Sequence, residues 1–296
     1  MRGCKNRVLN WTSTAIGLLT TILLSGIAFA APNGQPQPGQ MNLPAPATNK
    51  MADIVWFHNW LLVLITAISV FVLVLLVYAC WRFSAKRNPV PSKLTHHTGL
   101  EVAWTIIPVL ILVVVAIPSF RILRDQLVLP PADVTIKVTG KQWYWSWEYP
   151  KDGGAFGFDA LMLDDKQRLE LVNTGKAKAD EVPRLLGVDN EALVPVGKIV
   201  RLQVTAADVI HKFALPAFGL KIDAIPGRLN ETWFKAETEG LYFGQCSFIC
   251  GQNHAYMPIA IRVVSQERYT AWLAESQKKF AAVDGAPTRV AAVTSP

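Results

Sequence analysis

Two apolar runs without a single acid or base, residues 60–80 and 102–120, limit what this chain can fold into more than any other feature. At about 1.5 Å per residue, a helix of either length spans the hydrocarbon of a bilayer. Trp56, Trp60 and Trp81 stand at the ends of the first run, where amphipathic rings favour the membrane–water boundary. Arg82, Lys86, Arg87 and Lys93 follow in a short loop over residues 82–100, and that density of cations marks the cytoplasmic side. Arg121 and Arg124 beyond the second run dilute the asymmetry. Pro108 and Pro118 lie near the ends of the second run and are tolerated in membrane helices. The expectation is a two-helix hairpin over residues 56–122. A hydrophobic content of 51% excludes an ordinary soluble enzyme.

The amino terminus supports export. Arg2, Lys5 and Arg7 precede an apolar stretch that ends in Ala28-Phe29-Ala30, the pattern of a signal peptide over residues 1–30. Its removal takes three cations from the formal charge of +7 and leaves +4 (7 − 3). Residues 31–55 begin rich in Pro, Gly, Gln and Asn and read as a flexible exported leader.

Beyond residue 123 the period changes. Residues 134–139 and 198–204 alternate apolar and polar side chains, and 232–238, 241–244 and 259–264 are further strand candidates. Short strands broken by Gly and Pro predict a Greek-key sandwich over residues 123–280. Residues 265–280 read as a closing helix with Ser265 as N-cap, and residues 281–296 as a loose tail. Five aromatics fall within residues 143–149, which is ordinary core packing for most of them.

The chemistry concentrates in Cys246-x3-Cys250-x3-His254-x2-Met257. Thiolates, an imidazole and a thioether select copper over magnesium, calcium or manganese. The spacing is too tight for the paired hairpins of ordinary zinc sites. The chain has five histidines, at 58, 96, 97, 211 and 254, and His211 is the other one outside the signal and membrane segments. A disulfide between Cys246 and Cys250 is the alternative, although so short a loop gains little from closure.

Together with His211 in Asp-Val-Ile-His-Lys-Phe-Ala-Leu-Pro and the run Asp223-Ala-Ile-Pro-Gly-Arg-Leu-Asn230, this motif resembles subunit II of cytochrome c oxidase. The resemblance covers nearly the whole chain after the signal segment. It implies a transmembrane helical hairpin followed by an all-β cupredoxin-like domain. It also implies two copper ions bridged by Cys246 and Cys250, with His211 and His254 each capping one. Met257 and the backbone carbonyl of Phe248 would be weak axial ligands. The implied function is to accept electrons from cytochrome c and pass them to haem in subunit I, where oxygen is reduced and protons are moved. Subunit III is a further implied partner.

By the same resemblance Trp143, the first Trp of Gln-Trp-Tyr-Trp, is where electrons come in. Glu101 lies near a proton entrance on the cytoplasmic side. Asp159, Asp189 and Asp208, with Glu148 as a fourth, match docking carboxylates for the donor. Residues 133–264 hold 16 acids and 15 bases, so any attraction must come from clustering. With no basic stripe, nucleic acid is not a partner. The implied location is a bacterial inner membrane, with the copper domain on the periplasmic side.

Two positions depart from the family pattern. Phe248 stands where a Glu helps bind magnesium or manganese at the contact with subunit I, so that metal site is lost or rebuilt. Lys141 replaces a residue that is often His. The alternative function is a membrane-anchored copper-binding or assembly protein, which would need neither the hairpin nor Trp143.

Overall fold

The computed structural model of the protein describes residues 33–150 and 155–280; the signal peptide expected over residues 1–30 and the loose tail expected over residues 281–296 lie outside them. Among the described residues two helices come first, α1 (Asn49–Arg82) and α2 (Thr98–Leu127), both long and apolar enough to cross a membrane. Phe71, Leu75, Val113 and Ile117 point outward along them. At about 25 cal/mol per Å² such exposure is costly in water and free in lipid.

Both helices extend beyond the apolar runs because their caps lie farther out. The Thr48 hydroxyl accepts from Met51 N at 3.1 Å, and His97 Nδ1 accepts from Leu100 N at 3.3 Å. Pro108 and Pro118 sit inside α2, which continues through both.

Of the leader expected to be flexible over residues 31–55, the described part from residue 33 is instead tied down. From Asn49 it is already helix, and before that its backbone completes the hydrogen bonding of the β-domain. Phe243 N donates to Asn33 O (3.1 Å), Ala47 N to Ala217 O (2.8 Å) and Glu237 N to Ala47 O (3.0 Å). Ala47 and Thr48 are buried in consequence. The physical reason is that Thr48 pairs with Ala236 as a β-bridge and satisfies groups that would otherwise be left at an edge. Lys50 extends the clamp: its Nζ donates to Trp233 O at 2.9 Å and lies 3.6 Å from the centre of that indole.

The rest is a sandwich of two five-stranded sheets. One runs β3 (Phe156–Ala160), β2 (Tyr144–Tyr149), β1 (Val134–Lys141), β5 (Ile199–Ala206), β8 (Asn230–Lys235). The other runs β4 (Ala192–Pro195), β10 (Pro258–Val264), β9 (Gly240–Cys246), β6 (His211–Leu215), β7 (Leu220–Ala224). Strands β1 and β5 pair in parallel, as do β4 and β10; the other pairs are antiparallel. Along β5 the odd-numbered side chains face out while Val200, Leu202 and Val204 face in, as its alternating sequence requires.

The inward faces interdigitate around Ile136, Val138, Trp147, Phe213, Phe234 and Phe243, all essentially inaccessible. A short helix, α3 (Asp165–Asn173), occupies part of the connection between β3 and β4; it carries a capping box, Asp164 with Gln167. The closing helix, α4 (Gln266–Phe280), seats Trp272 against Tyr149, Phe156 and Phe158. The order of elements, a membrane hairpin followed by a two-sheet β-domain, is the expected architecture.

Candidate metal centre

Strand geometry gathers the donors at one end of the sandwich. His211 is the first residue of β6 and Cys246 the last of β9, and their strands pair with Phe213 opposite Cys246. The loop after Cys246 is pinned at both ends: Ser247 N donates to Lys212 O (3.0 Å) and Cys246 N to Met257 O (3.3 Å). Cys250 therefore folds back beneath Cys246, and a 3-10 turn, His254–Tyr256, delivers His254 and then Met257.

The distances bring all the sequence-derived donors together. Cys246 Sγ is 3.9 Å from Cys250 Sγ and 3.3 Å from Phe248 O. Cys250 Sγ is 3.5 Å from both His254 Nδ1 and Met257 Sδ. Donor atoms of His211, Cys246 and Cys250 all lie within 4.8 Å of one another. Both thiols are free and buried, and at this separation no S–S bond of about 2.05 Å joins them.

His211 supplies the test of whether this cluster suits a metal. Its ring is fully buried, and Nε2 is 2.8 Å from Asp208 Oδ1. Nδ1 is buried with no hydrogen-bond partner. A buried imidazole nitrogen left bare beside two thiols costs free energy unless an ion takes its lone pair. Thiolate, imidazole and thioether are the donor set that suits copper. The residues present fit a copper centre.

Electrostatics favour the same reading. Burial pushes the Cys246 thiol up, yet the neighbouring His211 imidazole, hydrogen bonds from the backbone at Lys212 and Phe248, and His254 outweigh it and bring the thiol down to about 6. Burial and the adjacent Cys246 push Cys250 the other way, up to about 12. One thiolate is thus stabilised before any metal arrives, and the second thiol resists ionising beside it. Burial also opposes ionisation of Asp208, but hydrogen bonds from His211, Val209 N and Gln142 N hold its carboxyl below the usual range.

Two glycines make the packing feasible. A Cβ on Gly140 would stand 2.9 Å from His211 Cδ2. Gly251 has φ +127°, and a Cβ there would meet Trp143 Cζ2 at 3.0 Å.

Trp143 belongs to the two-residue turn between β1 and β2, half-buried over the loop that carries Cys250. Its Nε1–H donates to Cys250 O at 3.3 Å, and Gln142 Nε2 donates to the same oxygen at 3.3 Å. Trp145, expected only to pack, also serves the site: its ring meets His211 edge-on at 6.0 Å, and its Nε1–H donates to Met257 O at 3.3 Å. Alternation along β2 was the signal, since it turns residue 145 inward.

The proposed docking acids each carry a partner on this domain. Asp159 accepts from the Ser146 hydroxyl and lies 3.8 Å from Lys141 Nζ. Asp189 accepts from Leu161 N at 2.7 Å, and Glu148 from Lys137 Nζ at 2.9 Å. Asp208 binds His211, as above. Glu101 is not part of the cluster; it lies in the first turn of α2, the end remote from the β-domain. Phe248 is 43% exposed and its ring lies 6.0 Å from Lys212 Nζ, which is 2.9 Å from Asp223 Oδ1.

Residues 134–264 match the family model of the periplasmic domain of cytochrome c oxidase subunit II, and residues 36–122 match that of its transmembrane domain. The chain is 46% identical over 277 residues to a probable cytochrome c oxidase subunit 2 of Rickettsia bellii, covering 94% of this chain and 97% of that one. It is 47% identical over 254 residues to cytochrome c oxidase subunit 2 of Cereibacter sphaeroides, covering 82% of each. A crystal structure of the periplasmic domain of subunit II of cytochrome oxidase (CoxB) of Bradyrhizobium japonicum is 58% identical, with a TM-score of 0.45 over 52% of this chain and 99% of that one. With a membrane hairpin, a cupredoxin-like domain and a Cys–His–Met cluster at its end, the chain belongs to the cytochrome c oxidase subunit II family.

Proposed function

We propose that this chain accepts single electrons from cytochrome c and hands them to haem in subunit I of a respiratory oxidase, where oxygen is reduced and protons are translocated. The observation that carries this reading is His211: one ring nitrogen bound to Asp208, the other bare and buried against two free thiols. Two copper ions held by Cys246, Cys250, His211, His254, Met257 and the Phe248 carbonyl would supply a one-electron relay of delocalised valence.

The protein's own part is to hold those donors still. Its loop is closed by backbone hydrogen bonds at both ends, so little nuclear movement accompanies a change of charge. Trp143 receives the electron. Its indole sits at the surface yet is bonded to the carbonyl oxygen of Cys250, which links the ring to a thiol through a hydrogen bond and the covalent path O=C–Cα–Cβ–Sγ. Asp159, Asp189, Glu148 and Asp208 supply negative charge that draws a basic donor toward that ring. Glu101 lies near a proton entrance of subunit I at the cytoplasmic end of α2. The hairpin anchors the chain in the bacterial inner membrane with the β-domain on the periplasmic side, subunit III completing the complex.

At position 248 the aromatic ring offers no ligand for magnesium or manganese. The ammonium of Lys212, paired with Asp223, supplies positive charge beside it. We therefore read the contact with subunit I as one without a divalent ion there. Metal analysis and EPR of the complex purified with its partner subunits test both readings. Two coppers per chain with a mixed-valence signal support the relay, and a mononuclear signal refutes it. Stoichiometric non-redox magnesium or manganese at the contact would overturn the second.

A further inference from the structure

Asp208 does more than carry surface charge. It lies in the turn between β5 and β6, three residues before His211, with its side chain only 31% exposed. Its Oδ1 accepts from Val209 N at 2.7 Å and lies 2.8 Å from His211 Nε2; its Oδ2 accepts from Gln142 N at 2.6 Å. Gln142 in turn precedes Trp143, and both side chains bind the Cys250 carbonyl. A single carboxylate therefore touches a copper ligand on one side and the turn that carries the electron-accepting indole on the other.

We infer that Asp208 is the positioning residue of the copper centre: it fixes the His211 tautomer, strengthens that imidazole as a donor, and couples it to the Trp143 turn. The inference rests on the copper reading above. A carboxylate that accepts from Nε2 requires the proton to be there, which leaves Nδ1 as the atom free for metal. Nδ1 is the nitrogen found bare. Negative charge on the Nε2 side pushes electron density toward the metal and so favours its oxidised state. Loss of that charge must raise the reduction potential.

Geometry distinguishes this role from simple proximity of charge. Asp159 also lies at this end of the first sheet, opposite Ser146 and one residue from the partner of Trp145, but it binds Ser146 and Lys141 and touches no copper ligand. Asparagine at 208 keeps the shape but has one acceptor oxygen, and Asp208 uses two. The variant must give up either the His211 contact or the Gln142 contact. Glutamate keeps both the charge and two oxygens.

The test uses the copper-loaded full chain in detergent with its partner subunits, comparing Asp208→Asn, Asp208→Glu and Asp159→Asn. Wild type must first show the mixed-valence signal; if it does not, the copper reading fails before the role of Asp208 is addressed. Given that signal, Asp208→Asn is expected to keep it, raise the reduction potential, and lower copper affinity about tenfold. Asp159→Asn is expected to leave both nearly unchanged. Equal shifts in the two variants, or none in Asp208→Asn, would overturn the inference. If Asp208→Asn holds no copper at all, Asp208→Glu must restore binding and bring the potential back toward wild type; failure of that rescue overturns it as well.

Discussion

The indole N–H of Trp143 donates to the carbonyl oxygen of Cys250 at 3.3 Å, so a half-buried surface ring is joined directly to a residue whose thiol belongs to the buried Cys–His–Met cluster. This contact separates two properties that a structural core residue would couple. Trp143→Ala is expected to leave copper content and its spectrum intact while slowing reduction by cytochrome c on the order of 100-fold, the scale set by small displacements at a reacting site. Trp143→Phe keeps an aromatic surface but lacks the donor and should fall in between. Stopped-flow mixing with reduced cytochrome c reads the rates, and normal turnover in the alanine variant would refute the role.

Gly140 faces His211 so closely that any side chain collides with the ring. Gly140→Ala places a Cβ about 2.9 Å from Cδ2, in a buried site with no free space. Overpacking of this kind costs about 1–3 kcal/mol. The expected result is a lower melting temperature together with weakened copper binding, measured by calorimetry and metal titration. A change in stability with unaltered copper affinity would mean that the His211 ring position does not matter to the metal.

The clamp between Lys50 and Trp233 joins the first turn of α1 to the β-domain. Lys50→Ala removes a hydrogen bond to a carbonyl and a cation–π contact, together about 1–2 kcal/mol. Copper content should not change. Hydrogen exchange at the backbone of residues 47–50 and 233–237 should quicken, and unchanged protection there would show that the clamp does not hold the two parts together.

Acid should loosen the segment between β3 and β4 before it unfolds the sheets. Arg262 on β10 grips Glu191 through two hydrogen bonds (2.5 and 3.0 Å) and reaches Glu181 at 3.3 Å. The Lys178 N–H, and then Arg262 against the cost of burial, hold the Glu181 carboxyl below its ordinary value of about 4.5. A carboxyl with a depressed folded value contributes stability above its unfolded value and loses it as pH falls through the folded one. The melting temperatures of wild type and Glu181→Gln should therefore differ at neutral pH and converge below about pH 4.5. A constant gap across that range would show that Glu181 contributes nothing through its charge.

Legibility in the sequence followed the range of each interaction. Cys246, Cys250, His254 and Met257 lie in one loop, so their spacing alone exposed them, and His211 was found because few histidines remain outside the membrane. The hairpin was visible because a bilayer demands uninterrupted apolar length. Contacts between distant segments were hidden. Nothing local announces that Ala47 and Thr48 bond to Ala217 and Ala236, which made the leader look free. The parallel pairing of the four-residue β4 with β10 is likewise non-local. Helix α3 is short and polar, without an apolar stripe, although Asp164 and Gln167 carried a capping signal. Asp208 was read for its charge when its place three residues before His211 allowed a hydrogen bond.

The most direct test of the copper account is to count metal and record the EPR spectrum of the oxidised full chain purified with its partner subunits, beside Cys246→Ser. Two coppers per chain sharing one unpaired electron are expected, with loss of that signal in the variant. One copper per chain, or a folded protein whose Cys246 and Cys250 are bonded to each other, would contradict it.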